Sequence, residues 1–149
     1  MLRVLAAYVA AVLVTYAGAV IAHSQSVVAN LHRMGVDESF GDRVGHTLHD
    51  LAGMTGLFLP IIAAALAVAF PVARLVMRLL PRWQPVGYAI AGGVALLGVH
   101  VILEQTFEVT PIAGARTTLG LTLQALSGVL GGWVFRLCLG RPATTAQTT

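Results

Sequence analysis

The chain has 149 residues, of which 57% are hydrophobic and only 10% charged, with a mean hydropathy of +0.83. A soluble domain of that size would lack the polar surface to cover itself, so the composition excludes an ordinary water-soluble globule. The formal net charge of +3 arises from nine arginines, no lysine and six acids, and its uneven spread along the chain speaks for topology and anionic-lipid contact rather than nucleic-acid binding.

Residues 4–22 form the first apolar run, without Asp, Glu or Arg. About 20 residues, each rising about 1.5 Å, cross the roughly 30 Å hydrocarbon layer, and this run is long enough to do so. Arg3, the apolar core and the Val20-Ile21-Ala22 ending also resemble a secretory signal cleaved before His23. The run exceeds the usual h-region and carries Tyr8, Thr15 and Tyr16, which favours an uncleaved span. Residues 23–50 read as an outer loop with four of the acids, and Ser39 is placed to cap a helix start.

The second run covers residues 51–73, where Pro60 is expected to kink the helix against the carbonyl of Gly56. Pro71 either kinks it again or marks its end. Arg74, Arg78, Pro81, Arg82 and Trp83 make residues 74–84 a short cytoplasmic turn, with Trp83 at headgroup depth. The third run, residues 85–103, opens on Pro85, a favoured first helical position. Residues 104–116 form a second outer loop with Glu104, Glu108 and Arg116. The fourth run covers residues 117–135, and the small polar tail, residues 142–149, reads as disordered.

Backbone groups in lipid must be satisfied within each run, and period-two alternation is missing, so the runs should be helices. The fold class that follows is all-α: an integral membrane protein with one domain, residues 1–149, built as an antiparallel four-transmembrane-helix bundle. The six arginines at positions 3, 74, 78, 82, 136 and 141 stand on one side without an acid; Arg33, Arg43 and Arg116 share the other with all six acids. The positive-inside rule then puts both termini in the cytoplasm and the two longer loops outside a bacterial inner membrane. The lone Cys138 offers neither a disulfide framework nor a cysteine metal site.

Helices in lipid associate through small residues and interhelical hydrogen bonds. Ser127/Gly131 and Gly128/Gly132 on the fourth span, with Gly87/Ala91/Ala95 on the third, suggest intramolecular packing of those two spans; homodimerisation through the last span is the alternative. Gln124, one turn before Gly128, reads as an interhelical hydrogen bond. Pro60, Gln124, Gly128 and Gly132 are thus the structural candidates.

All five histidines lie on the side of the acids. If the four spans end at one level, His23, Asp50 and Glu104 sit near it, with His100 one turn deeper and His49 further out. Imidazole with carboxylate suits zinc, iron, manganese or copper, which makes His100, Glu104, His49, Asp50 and His23 the metal candidates. A metal ion or haem b held there is the alternative to a plain ion-pair network in which His100 bonds a hydroxyl of Thr15, Tyr16 or Thr55. The His-Glu-x-x-His and Glu-x-x-His patterns are missing, as are nucleophile-elbow and phosphate-loop motifs, so no catalytic residue emerges.

The segments His46-Thr-Leu-His49-Asp50 and Thr110-Pro-Ile-Ala-Gly-Ala-Arg116, followed by a glycine-rich last span, resemble uncharacterised small four-span inner-membrane proteins of proteobacteria. The likeness implies architecture rather than activity. The expectation is a non-enzymatic accessory or scaffold subunit, partnered by the bilayer and by a second copy or a larger membrane complex. The alternatives are a periplasm-facing metal or haem protein and a small oligomeric transporter.

Overall fold

Between Leu2 and Arg33 the chain has no proline and a single glycine, and it forms one uninterrupted helix of 32 residues, α1 (Leu2–Arg33). At about 1.5 Å per residue it is about 48 Å long, well beyond the thickness of a hydrocarbon layer. The computed structural model describes residues 1–33, 35, 39–83, 86–107 and 117–140. The expectations placed on Asp37, Glu38, Pro85, Glu108, Arg116 and the tail 142–149 lie outside the described residues.

Much of the expected outer loop 23–50 is helical. Nothing in residues 23–33 breaks α1, and α2 (Phe40–Gly53) starts at Ser39 with a full capping box: the Ser39 hydroxyl accepts from the Asp42 N–H, and the Asp42 carboxylate accepts from the Ser39 N–H. The two helices fold back on each other, with Ser24 Oγ and Thr47 Oγ1 3.0 Å apart and the Tyr16 hydroxyl donating to the Leu51 carbonyl at 2.6 Å. Leu51 therefore lies level with Tyr16, below Ala22 rather than beside it.

The second span is also displaced. Gly53 and Gly56 weaken the helix, a 3-10 turn covers Met54–Gly56, and α3 (Phe58–Leu79) begins afresh. Pro60 thus falls in the first turn of α3, where its missing N–H would lack an intrahelical partner anyway. It does not kink a continuous helix; the chain avoids the clash with Gly56 by breaking before it. Pro71 sits inside α3, and the helix continues past it, so Arg74 and Arg78 are helical rather than part of a turn. A 3-10 turn, Pro81–Trp83, leads to α4 (Gly87–Phe107) and then α5 (Thr118–Leu139). Thr117 caps α5 through its hydroxyl, and Gly140, at φ 74°, ends it.

Four of the five helices, over Leu2–Asn30, Phe58–Leu79, Gly87–Gln105 and Thr118–Leu139, are long and apolar enough to cross a membrane. α5 packs most extensively, on α1 and α4; α3 closes the ring by meeting α4 and, more lightly, α1. Where α5 meets α4, a methyl group at Gly92 of α4 would strike the Gly128 carbonyl, and one at Gly132 of α5 would strike the Tyr88 carbonyl. Where α5 meets α1, a methyl group at Gly131 of α5 would meet Thr15 Oγ1 and the Ala11 carbonyl, and one at Gly18 of α1 would lie 3.0 Å from Ser127 Oγ.

The two glycine pairs of α5 thus serve different neighbours. Gly128/Gly132 meets α4, while Ser127/Gly131 meets α1. The α4 stripe Gly87/Ala91/Ala95, by contrast, does not face α5: it lines a groove towards α3, and Tyr88, Ala89 and Gly92 make the close approach. At the other end of the interface Phe70 stacks on Phe135 at 4.2 Å, with Tyr88 edge-on to both.

Gly128→Ala and Gly132→Ala are expected to destabilise the fold by about 1–3 kcal/mol each, because backbone rather than a movable side chain occupies the space. Gly98→Ala, where a methyl meets nothing within 4 Å, is expected to be neutral or to stabilise by up to about 1 kcal/mol. Thermal unfolding of the three variants in one detergent checks the order.

Candidate functional site

The polar residues of the core converge around the Phe58 ring. Tyr16 of α1 lies 6.4 Å from it, centroid to centroid, and His100 of α4 lies 6.3 Å away. Tyr16 spends its hydroxyl on the Leu51 carbonyl and on Thr55 Oγ1, 3.0 Å away, so it is not the partner of His100. Gln124 of α5 lies beside His100. Its Nε2 donates to the Ala19 carbonyl at 2.9 Å, fastening α5 to α1, and its side chain is the polar neighbour of the His100 imidazole.

This centre is dry and incompletely paired. Thr15 and Gln124 are 0% exposed and His100 5%. Thr15 Oγ1, Gln124 Oε1 and His100 Nε2 are buried without a hydrogen-bond partner. Gln124 and His100 adjoin, and since a buried polar atom left unpaired costs about 1–3 kcal/mol, these two side chains are the ones under pressure to pair.

The sequence candidates separate by burial. His100 points into the core, while Glu104, one turn on, is exposed, because four residues advance a helix by somewhat more than one turn. His49 is exposed on α2. His23 and Asp50 are both half-buried across the α1–α2 contact, and the Asp50 charge acts on His23. Among the described residues no three of His, Cys, Asp and Glu come together in a group able to hold a metal ion. Of the five candidates, His23 and Asp50 act on each other across the α1–α2 contact, and His100 is the one that lies in the core.

The loop acid with a resolved role is Asp42. Its hydrogen bond from the Ser39 hydroxyl at 2.6 Å, and then that from the Ser39 N–H, hold the carboxyl below the ordinary Asp range. This is capping chemistry on an exposed helix end.

The sequence reading missed Phe58, around which the centre is built, and the α1 face opposite Gln124. That face has a visible signal: Ala7, Ala11, Thr15 and Ala19 recur every four residues, and all are essentially buried. The arrangement can hold helices in register and keep one imidazole away from the surface.

His100→Gln is expected to leave stability nearly unchanged, since an amide can also bond Gln124 in a similar volume. His100→Leu should lose about 0.6 kcal/mol, the average for an interhelical hydrogen bond in a membrane. Chemical denaturation in mixed micelles measures both; were His100 a ligand, both variants would also lose a metal or haem signal carried by the wild type. No protein-family model matches the chain, and no curated protein or solved structure matches it.

Proposed function

We propose that the chain is a non-enzymatic polytopic membrane protein, an accessory or scaffold subunit of a bacterial inner membrane, folded as an antiparallel bundle with both termini cytoplasmic. The observation that carries this reading is the uncovered face of α3 and α4. Only 22% of the most apolar window of α3 is buried within the chain, against 39% for those of α1 and α5. Between α3 and α4 runs an open groove of about 1050 Å³, from Leu103 and Ile61 at one end to Leu80 and Trp83 at the other. Its lining is apolar, and much of its floor is small: Ala65, Ala69, Gly87, Ala91, Ala95 and Gly98.

Lipid tails fill such a groove as well as apolar side chains do, so hydrophobicity alone draws nothing into it. Small residues do distinguish a protein helix, because they let a second backbone approach closely. The groove runs along most of the length of α3 and α4, the course a helix packed beside them would take. The occupant is a transmembrane helix of a partner subunit or of a second copy.

A photo-reactive residue at Val94, which is 62% exposed beside the groove, is expected to crosslink one defined protein in intact cells. Ala95→Leu should remove that product without loss of the folded protein. Crosslinks to lipid alone would sink the subunit reading.

Orientation follows from the arginines at one end. Reporter fusions after Asp50 and after Thr149 are expected to report opposite sides of the membrane, the first periplasmic and the second cytoplasmic.

A further inference from the structure

A second groove, of about 840 Å³, opens between α1 and α3 at the arginine-bearing end of the bundle. It differs from the first in two respects. Its floor is aromatic and tightly fixed: Phe70 and Phe135 are stacked, Tyr88 packs edge-on against both, and Tyr8 packs edge-on against Phe70 at 6.5 Å. The Tyr8 hydroxyl is engaged by the Ala63 carbonyl at 2.6 Å, which leaves an apolar surface towards the groove. The second difference is a cation at its edge, Arg74, one turn beyond Phe70 on α3.

The arginines of this end are not equivalent. Arg3 donates to the Cys138 carbonyl at 3.1 Å and Arg136 to the Gly140 carbonyl at 2.9 Å, so both serve the C-terminal end of α5. Arg74 has no hydrogen-bond or ion-pair partner among the described residues. No acid stands among the described residues at this end of the chain's four long helices to neutralise it.

An apolar slot with a guanidinium at its mouth is complementary to an amphiphile with an anionic head and a hydrocarbon tail. We propose that this groove is a binding site for an anionic phospholipid of the arginine-side leaflet, with an acyl chain over Phe70 and Phe135 and the phosphate on Arg74. The planar guanidinium matches phosphate in a two-pronged geometry, and basic pockets between membrane helices select acidic headgroups in this way. The proposal rests on membrane insertion of the bundle, and on nothing in the α3–α4 groove.

The test is native mass spectrometry of the full chain, released from neutral detergent and titrated with phosphatidylglycerol or with phosphatidylcholine of the same chains. The wild type is expected to retain one phosphatidylglycerol with about tenfold preference, the effect of roughly 1.4 kcal/mol. Arg74→Gln should abolish the preference, Ala67→Trp should reduce retention of both lipids by filling the slot, and Arg78→Gln should change neither. Equal retention of the two lipids by the wild type, or an unchanged preference in Arg74→Gln, overturns the site. Displacement by millimolar inorganic phosphate also overturns it, since the tail would then contribute nothing. Alkaline carbonate extraction of cell membranes separates the two failures: release of the protein refutes insertion itself, whereas retention confines the failure to the lipid site.

Discussion

The helices α4 and α5 meet backbone against backbone. Gly128 and Gly132 of α5 approach Gly92, Tyr88 and Ala89 of α4 so nearly that one added methyl group would overlap a carbonyl oxygen. On a neighbouring face of the same helix, Gly131 and Ser127 meet Ala11, Thr15 and Gly18 of α1. One helix is thereby fixed in rotation by two partners at once. Much else follows from that: the direction of Gln124 towards Ala19, the stacking of Phe135 on Phe70, and the closing of a ring around Phe58. In a lipid solvent such proximity replaces the hydrophobic effect, since dispersion and weak polar contacts grow as the helices close.

The polar centre is best understood as a consequence of this packing. Gln124 is directed at α1 because its helix cannot turn, and it reaches a carbonyl that is already bonded within α1 but has a second lone pair. His100 is brought against Phe58 and Gln124 by the same register of α4. These constraints separate it from Glu104, its expected partner. The imidazole is buried and the carboxylate, one turn further along α4, is exposed, so the polar groups suggested by the composition divide into a buried pair, His100 and Gln124, and others nearer the surface.

The four long apolar runs were legible because composition alone determines which segments can be solvated by lipid. Their ends were less so. The run at 51–73 is continuous in hydropathy, but Gly53, Gly56 and Pro60 act on the backbone, which hydropathy does not register, and the helix resets at Phe58. Residues 23–33 are polar enough to read as a loop, yet they contain nothing that stops a helix already under way. For the site, Gln124 was readable as a polar residue in lipid that needs a partner. Which helix supplied that partner was not: the glycine pairs of the fourth span suggested packing on the third, whereas Ser127 and Gly131 meet α1 and it is the Ala19 carbonyl of α1 that takes the bond.

The central helix is also the last of the four in chain order, and this bears on biogenesis. During synthesis α1, α3 and α4 emerge before α5, and until then the α1 face of Thr15 lacks the surface of Gly131, and His100, beside Phe58, lacks Gln124. In a bilayer such polar groups would have to be tolerated by lipid, screened by translocation machinery, or held near the interface by a shallow tilt. The arrival of α5 ends that state in one step, because the same glycines let it close on both neighbours. Glycine and alanine have little or no side-chain freedom to lose, so this closure carries almost no ordering cost from rotamers. A chain interrupted before α5 would therefore not be a smaller version of this protein. It would be three helices with an exposed seam, the kind of surface by which membrane quality control distinguishes an orphan from a finished product.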